Sequence, residues 1–317
     1  MTPRVIGTVE SISYAEALSG DTWNHHCSRE RGTPLLIRDC PHLKALGEQW
    51  TDAHIKAVAG SRTAILDISR DGTFAGGKNV VDGTTRRQEE LSLAECIDRI
   101  RRTEGDLGTT KERAYVYGSR TEPFAPLLVE YSPPSALIPA GAHSYTQVWM
   151  GGAGNVTPAH FDVADNLLVQ VRGRKKVLLW DPSHYPLLSV NPTGTKGERQ
   201  SMMGDMHAVD VERYPHFAKA ESLSCDLAPG DMLFIPLAWF HYILTLEFSI
   251  SINHFWHSPE LAEFMNVGAQ LLRGGIRREL GAFLTFMWME AQRIPTDAVR
   301  DFCPLWREQR NDEHNPR

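Results

Sequence analysis

The chain has 317 residues, 42% of them apolar and 23% charged, a balance that suits a globular protein of one large domain or two. Its 39 Asp and Glu outnumber its 33 Lys and Arg, and the net charge of −6 disfavours a nucleic acid as the main partner, because phosphate binders carry the opposite excess. Five scattered cysteines without a CxxC pair exclude a disulfide framework or a zinc site, and no apolar run opens the chain or approaches ~20 residues, so reduced thiols, no signal peptide, no membrane span and a cytoplasmic location are expected.

The first 110 or so residues mix helical and strand patterns. Helices are expected over Ser13–His26, Thr51–Ala59 and Ser92–Arg102, the last with Leu93, Cys96, Ile97 and Ile100 at helical spacing. Leu35–Asp39 and Thr63–Ile68 read as buried strands, and Gly72–Thr85 as a loop. From Arg113 the pattern changes to short strands between turns: Ala114–Tyr117, Thr146–Met150, Asn166–Arg172, Lys176–Asp181, Met232–Ile235, Tyr242–Leu246 and Phe248–Phe255. Many short strands punctuated by Gly and Pro indicate a sandwich or barrel of the jelly-roll kind. In the last strand Phe248, Ile250 and Ile252 take one face and Ser249, Ser251 and Asn253 the other, which suggests a polar, ligand-filled interior. Residues 182–222 form a long insertion, part of which is expected over the barrel mouth. After Trp256 the chain turns helical, with Ser258-Pro259-Glu260 as a helix start. Apolar stripes such as Leu261, Phe264 and Met265 there need partners, within the chain or across a homodimer.

The chemistry concentrates in Thr157-Pro-Ala-His160-Phe-Asp162, answered 79 residues beyond Asp162 by His241, which follows Pro229-Gly-Asp and an apolar strand. Two imidazoles and one carboxylate on one face of an ion leave the opposite positions open, the ligand set of non-heme Fe(II) oxygenases. With 13 His and 39 acidic residues, one or two His-x-acid pairs arise by chance, so the spacing alone has little force. Strand geometry adds to it by placing His160 and Asp162 on one face, about 7 Å apart at Cα. Lys175 opens the next strand but one, and a lysine pointing into a barrel is costly unless it meets a carboxylate. Thr157, Asn166, Asn253 and Tyr115 add donors on expected strands. A solvated hairpin remains the plain reading of Arg172–Lys176, and a structural hydrogen bond that of Asn166.

Four blocks, in order, carry a resemblance: Thr157–Trp180, Asp210–Ala220, Pro229–His241 and Ile252–Trp256. Together they resemble the JmjC (cupin-8) family of Fe(II)- and 2-oxoglutarate-dependent oxygenases, and within it the small hydroxylases of asparaginyl side chains and of a tRNA base. The resemblance covers roughly residues 114–256. It implies a mainly β fold with flanking helices: a double-stranded β-helix (jelly-roll, cupin) core over 113–257 with the insertion 182–222, an N-terminal α/β elaboration over 1–112 packed on the barrel, and a C-terminal helical segment over 258–317.

The resemblance also implies Fe(II) held by His160, Asp162 and His241 as the catalytic set, with O2 and 2-oxoglutarate as co-reactants. The far carboxylate of 2-oxoglutarate would meet Lys175, assisted by Thr157 and by Tyr115 or, in its place, Tyr117. Asn166 and Asn253 would lie near the metal-bound end. One departure is His254, where relatives often carry an apolar residue. The expected substrate is an amino-acid side chain in a protein, a peptide or a small metabolite. Two alternatives are a hypermodified tRNA base, which the charge disfavours, and a catalytically silent cupin used as a binding module.

Overall fold

The computed structural model describes residues 1–27, 32–74, 86–105, 112–140, 142–191, 197 and 199–257. The expected C-terminal helices, the homodimer contact they would make and most of the glycine-rich loop lie outside the described residues. Two sheets face each other. The smaller has the order β1-β11-β10-β13-β8, built from β1 (Arg4–Thr8), β8 (Val156–His160), β10 (Lys175–Trp180), β11 (Glu221–Leu227) and β13 (Phe240–Thr245). The larger has nine strands in the order β2-β3-β12-β9-β14-β7-β6-β4-β5. These are β2 (Ser11–Ser13), β3 (Leu35–Arg38), β4 (Thr63–Ser69), β5 (Arg86–Ser92), β6 (Arg113–Ser119), β7 (His143–Gly151), β9 (Asp165–Arg172), β12 (Met232–Ile235) and β14 (Ser249–His257). The jelly-roll expectation holds.

The period-two pattern of the strands sorts three cores. Ile250 and Ile252 of β14, Leu167 and Val169 of β9, and Val148 and Met150 of β7 turn outward beneath helices α3 (Pro41–Gln49), α4 (Asp52–Ala59) and α5 (Leu93–Gly105). Between the sheets, Leu168, Leu233 and Ile235 meet Val177, Leu179 and Ile243. Behind the smaller sheet, Leu178, Trp180 and Tyr242 pack on Tyr185, Leu188, Met206 and Phe217 of the insertion. The bulk of the described insertion therefore braces the outer face of that sheet instead of capping the barrel. Among the described residues of the insertion, 199–201 run along β8, where Gln200 bridges to His160 and Arg199 O accepts from Phe161 N. All nine residues of β14 are buried, since both of its neighbours are strands and both of its faces are covered.

Local chemistry explains the departures from expectation. Ser13–His26 is two helices, α1 (Tyr14–Ser19) and α2 (Asp21–Cys27), because Gly20 adopts φ 93° between them. Ser13 caps α1 in a reciprocal box with Glu16. Asp162 lies beyond the end of β8, so strand alternation does not govern it. The elements not anticipated include α3, which Pro41 starts at its first turn, and strands β1, β2, β5 and β11. β1 (RVIGT) is mostly exposed, Val5 and Ile6 included, and β5 (RRQEELS) is polar and only partly buried; both are sheet edges, where burial is not required. No helix among the described residues is long and apolar enough to cross a membrane.

The turn from β9 to β10 crosses between the sheets through Gly173, whose φ is 71°. A Cβ there would run into the Phe248 carbonyl oxygen. Gly173→Ala is therefore expected to cost about 2 kcal/mol or more, read from chemical denaturation; an unchanged midpoint would show that the hairpin relaxes freely.

Candidate metal centre

β8 is the last strand of the smaller sheet and pairs with β13, so that His160 stands directly opposite His241. Thr157 stands opposite Ile243, so β8 holds one more residue than β13 over this stretch. On a regular strand residues three apart face opposite ways. The bulge turns Thr157 to the inner side with His160, a common use of bulges beside functional sites.

Each imidazole is oriented by its own strand. A carbonyl only accepts, so His160 Nδ1–H donates to Pro158 O (2.9 Å) and His241 Nδ1–H to Trp239 O (3.1 Å). Both Nε2 lone pairs are left for an ion, and the ring centres lie 4.1 Å apart. Asp162 completes the group, its Oδ2 3.6 Å from His241 Nε2. A tight turn holds it in place: Ala238, at φ 66°, donates its N–H to Asp162 O (3.0 Å), and Leu237 N–H donates to Asp165 Oδ1 (3.0 Å). A non-glycine residue at positive φ is strained, and such strain clusters at functional sites. The three donor atoms lie within 4.8 Å of one another, close enough for one ion with bonds of about 2.0–2.2 Å after slight closure. Burial, then the neighbouring His160, pushes His241 down to about 4, so its ring is neutral and able to ligate. The geometry thus brings together the three ligands expected from sequence.

Lys175 enters the barrel from β10. It is 1% exposed and, among the described residues, has no hydrogen bond or ion pair. Burial alone lowers its ammonium to about 7 from the ordinary 10.5, with no carboxylate acting against it. Tyr115 is also buried, which raises its phenol, and the Thr157 hydroxyl lies close enough to act against that rise. Tyr117 sits elsewhere. Burial raises its phenol, Arg86, 5.3 Å from the ring centre, lowers it, and Asp162 and Asp67 raise it further, which puts it on the metal side. The sequence left Tyr115 and Tyr117 as alternatives; Tyr115 is the one that meets Thr157.

Asn253 Nδ2 donates to Asn166 Oδ1 at 3.0 Å, joining the two buried amides across β14 and β9. Beside them Ser251 donates to Gln170 Oε1 (2.7 Å), while Gln170 Nε2 donates to the carbonyls of Arg172 and Gly173 and pins the hairpin that carries Lys175. Sequence reasoning missed Gln170, although its glutamine on a buried alternating strand was the available signal. His254 turns the other way: its ring nitrogens meet Tyr131 Oη (2.6 Å) and Thr146 Oγ1 (3.2 Å) on the outer face of β14. It is a satisfied structural histidine, kept neutral by burial, which lowers it to about 4.

The linkage sign of Lys175 follows from that lowered value. Below pH 7 the folded protein carries the buried charge and bears its full cost. Between pH 7 and 10.5 the unfolded chain holds a proton that the folded one lacks, so stability rises with pH. Lys175→Met is therefore expected to be more stable than wild type at pH 6, by on the order of 4 kcal/mol, with the difference shrinking toward pH 10. Denaturation curves across that range check this, and a constant difference would mean that the ammonium is not desolvated.

The pattern of the cupin-like domain family matches residues 23–261. The tRNA wybutosine-synthesizing protein 5 of Gallus gallus is 44% identical over 111 residues, which cover 35% of this chain and 33% of that protein. Lysine-specific demethylase 8 of Danio rerio is 35% identical over 231 residues, 70% of this chain and 53% of the relative. Lysine-specific demethylase JMJ30 of Arabidopsis thaliana is 27% identical over 231 residues, 71% of this chain and 50% of the relative. The matches thus span a third to about half of those proteins' own lengths. With the family pattern running through both sheets and the His-Asp-His group, the chain belongs to the JmjC-type, cupin-like family of oxygenases.

Proposed function

We propose that the protein is an Fe(II)- and 2-oxoglutarate-dependent dioxygenase that hydroxylates an unactivated carbon, most simply in an amino-acid side chain of a protein, peptide or small metabolite. The observation that carries this reading is the combination of an open-sided His160-Asp162-His241 group with Lys175, a buried cation without a carboxylate among the described residues. An isolated buried ammonium is unfavourable, and a ligand carboxylate is the group that would relieve it. The donor set fits the cofactors: two neutral imidazoles and a carboxylate suit ferrous iron, and three positions are left for exchangeable ligands.

In this reading His160, Asp162 and His241 hold the ion, and Lys175, Tyr115 and Thr157 hold the far carboxylate of 2-oxoglutarate. Asn166 and Asn253 border its metal-bound end. Together the two cofactors supply oxidation of a C–H bond by O2, with succinate and CO2 released. The chain's own part is orientation and dryness. Leu168, Val177, Leu179 and Ile243 exclude water between the sheets, which strengthens the Lys175–carboxylate attraction. Because the Lys175 ammonium lies near 7 before binding, binding a dianion at pH 8 takes up a proton.

A second reading, hydroxylation of a hypermodified tRNA base, is favoured by the 44% identity to the wybutosine-synthesizing protein. The charge of −6 and the twofold longer match to the demethylases weigh against it. Titration with tRNA separates the two, since real tRNA binding weakens steeply with salt.

Anaerobic incubation of the protein with Fe(II), 2-oxoglutarate and fractionated lysate, followed by O2 and mass spectrometry, is expected to give succinate and a product heavier by one oxygen. His160→Ala should abolish both. Succinate formed at the wild-type rate by that variant would exclude the triad.

A further inference from the structure

At the floor of the barrel two buried polar atoms have no partner among the described residues, Ser249 Oγ and Asn155 Oδ1. Orphans of this kind in a folded protein call for a ligand or a trapped water. Both flank one glycine. Ser249 stands opposite Gly151 in the β7–β14 ladder, and Tyr115 stands opposite it in the β6–β7 ladder. A Cβ on Gly151 would overlap the Tyr115 ring and come within 2.5 Å of Asn155 Nδ2. The missing side chain lets the Tyr115 ring and the Asn155 carboxamide close over this backbone, beside Ser249 on the neighbouring strand.

Lys175 reaches the same corner from the other sheet. Its partner in the β10–β13 ladder, Thr245, donates its backbone N–H to Asn155 O at 2.9 Å. Ser249 Cα lies 2.9 Å from the place a Cβ on Gly173 would occupy, two residues before Lys175. The polarities differ in a useful way. Lys175 and Ser249 offer hydrogens, whereas the free atom of Asn155 only accepts and so marks the side a carboxylate avoids.

We propose that Ser249 donates a hydrogen bond to the far carboxylate of the dicarboxylic ligand that Lys175 holds, which makes it a binding residue of that site. This rests on the oxygenase reading above and adds to it a group absent from the motif blocks. A hydroxyl aimed at a desolvated carboxylate forms a charge-assisted bond, stronger than a neutral one.

The test uses the full chain loaded with Mn(II) under nitrogen. It is titrated calorimetrically with 2-oxoglutarate and with 2-oxopentanoate, the 2-oxo acid that lacks the far carboxylate. Ser249→Ala is expected to weaken 2-oxoglutarate binding roughly 10-fold or more and to leave 2-oxopentanoate unchanged. Its melting temperature without ligand should not fall, because the deleted hydroxyl had no partner. Ser249→Cys, close in size and a weaker donor, gives the same selective loss should the alanine variant not fold. Equal weakening of both acids overturns the proposal, as does wild-type 2-oxoglutarate affinity in Ser249→Ala where Lys175→Met has lost it. A wild-type protein that binds the two acids equally overturns the oxygenase reading as well.

Discussion

The pairing of β8 with β13 is the constraint from which the site follows. One extra residue in β8 lets His160 and Thr157 share the inner face, opposite His241 and Ile243. Without it, His160 and Thr157 would fall on opposite faces of one strand. Other elements support that pairing. The insertion braces the reverse of the smaller sheet, and the Pro236–Trp239 turn with its strained Ala238 ties Asp162 to the approach of His241.

Charge is distributed along the cavity with the same economy. At one end the Asp162 carboxylate and the two imidazoles of His160 and His241 converge. At the other the Lys175 ammonium is buried with no charged partner among the described residues. Each end is unfavourable by itself in the folded chain, the first through crowded donors and the second through desolvation. At Lys175 the folded chain thus carries a desolvation cost, one that the proposed carboxylate ligand would relieve.

Much of this was legible in the sequence, for identifiable reasons. The strands of the barrel announce themselves through alternation, and His160, Asp162, His241 and Lys175 stand out because each is a polar group in an apolar context. What was not legible depends on contacts distant in the chain. The edge strands β1 and β5 have little hydrophobic pattern, because a solvent-facing edge does not require one. The helix break at Gly20 and the cap at Ser13 were readable in principle, since glycine after a helical turn and Ser-x-x-Glu are both local signals. The bulge in β8 and the close packing of Tyr115 and Asn155 over Gly151 were not, because a glycine or a three-residue spacing says nothing about its partner strand. Tyr115 and Tyr117, two apart on one strand, could be separated only by what faces them.

Strands from before residue 113 are stitched into both sheets: β1 edges the smaller one, β3 pairs with β12 and carries β2 beyond it, and β4 pairs with β6 and carries β5 beyond it. The amino-terminal third is thus woven into the barrel wall and is no detachable ornament. Cutting it away would bare the backbone of β6, β11 and β12 at once, three sticky selvedges along which copies could zip together. Fragments limited to the motif-bearing core should therefore precipitate rather than fold.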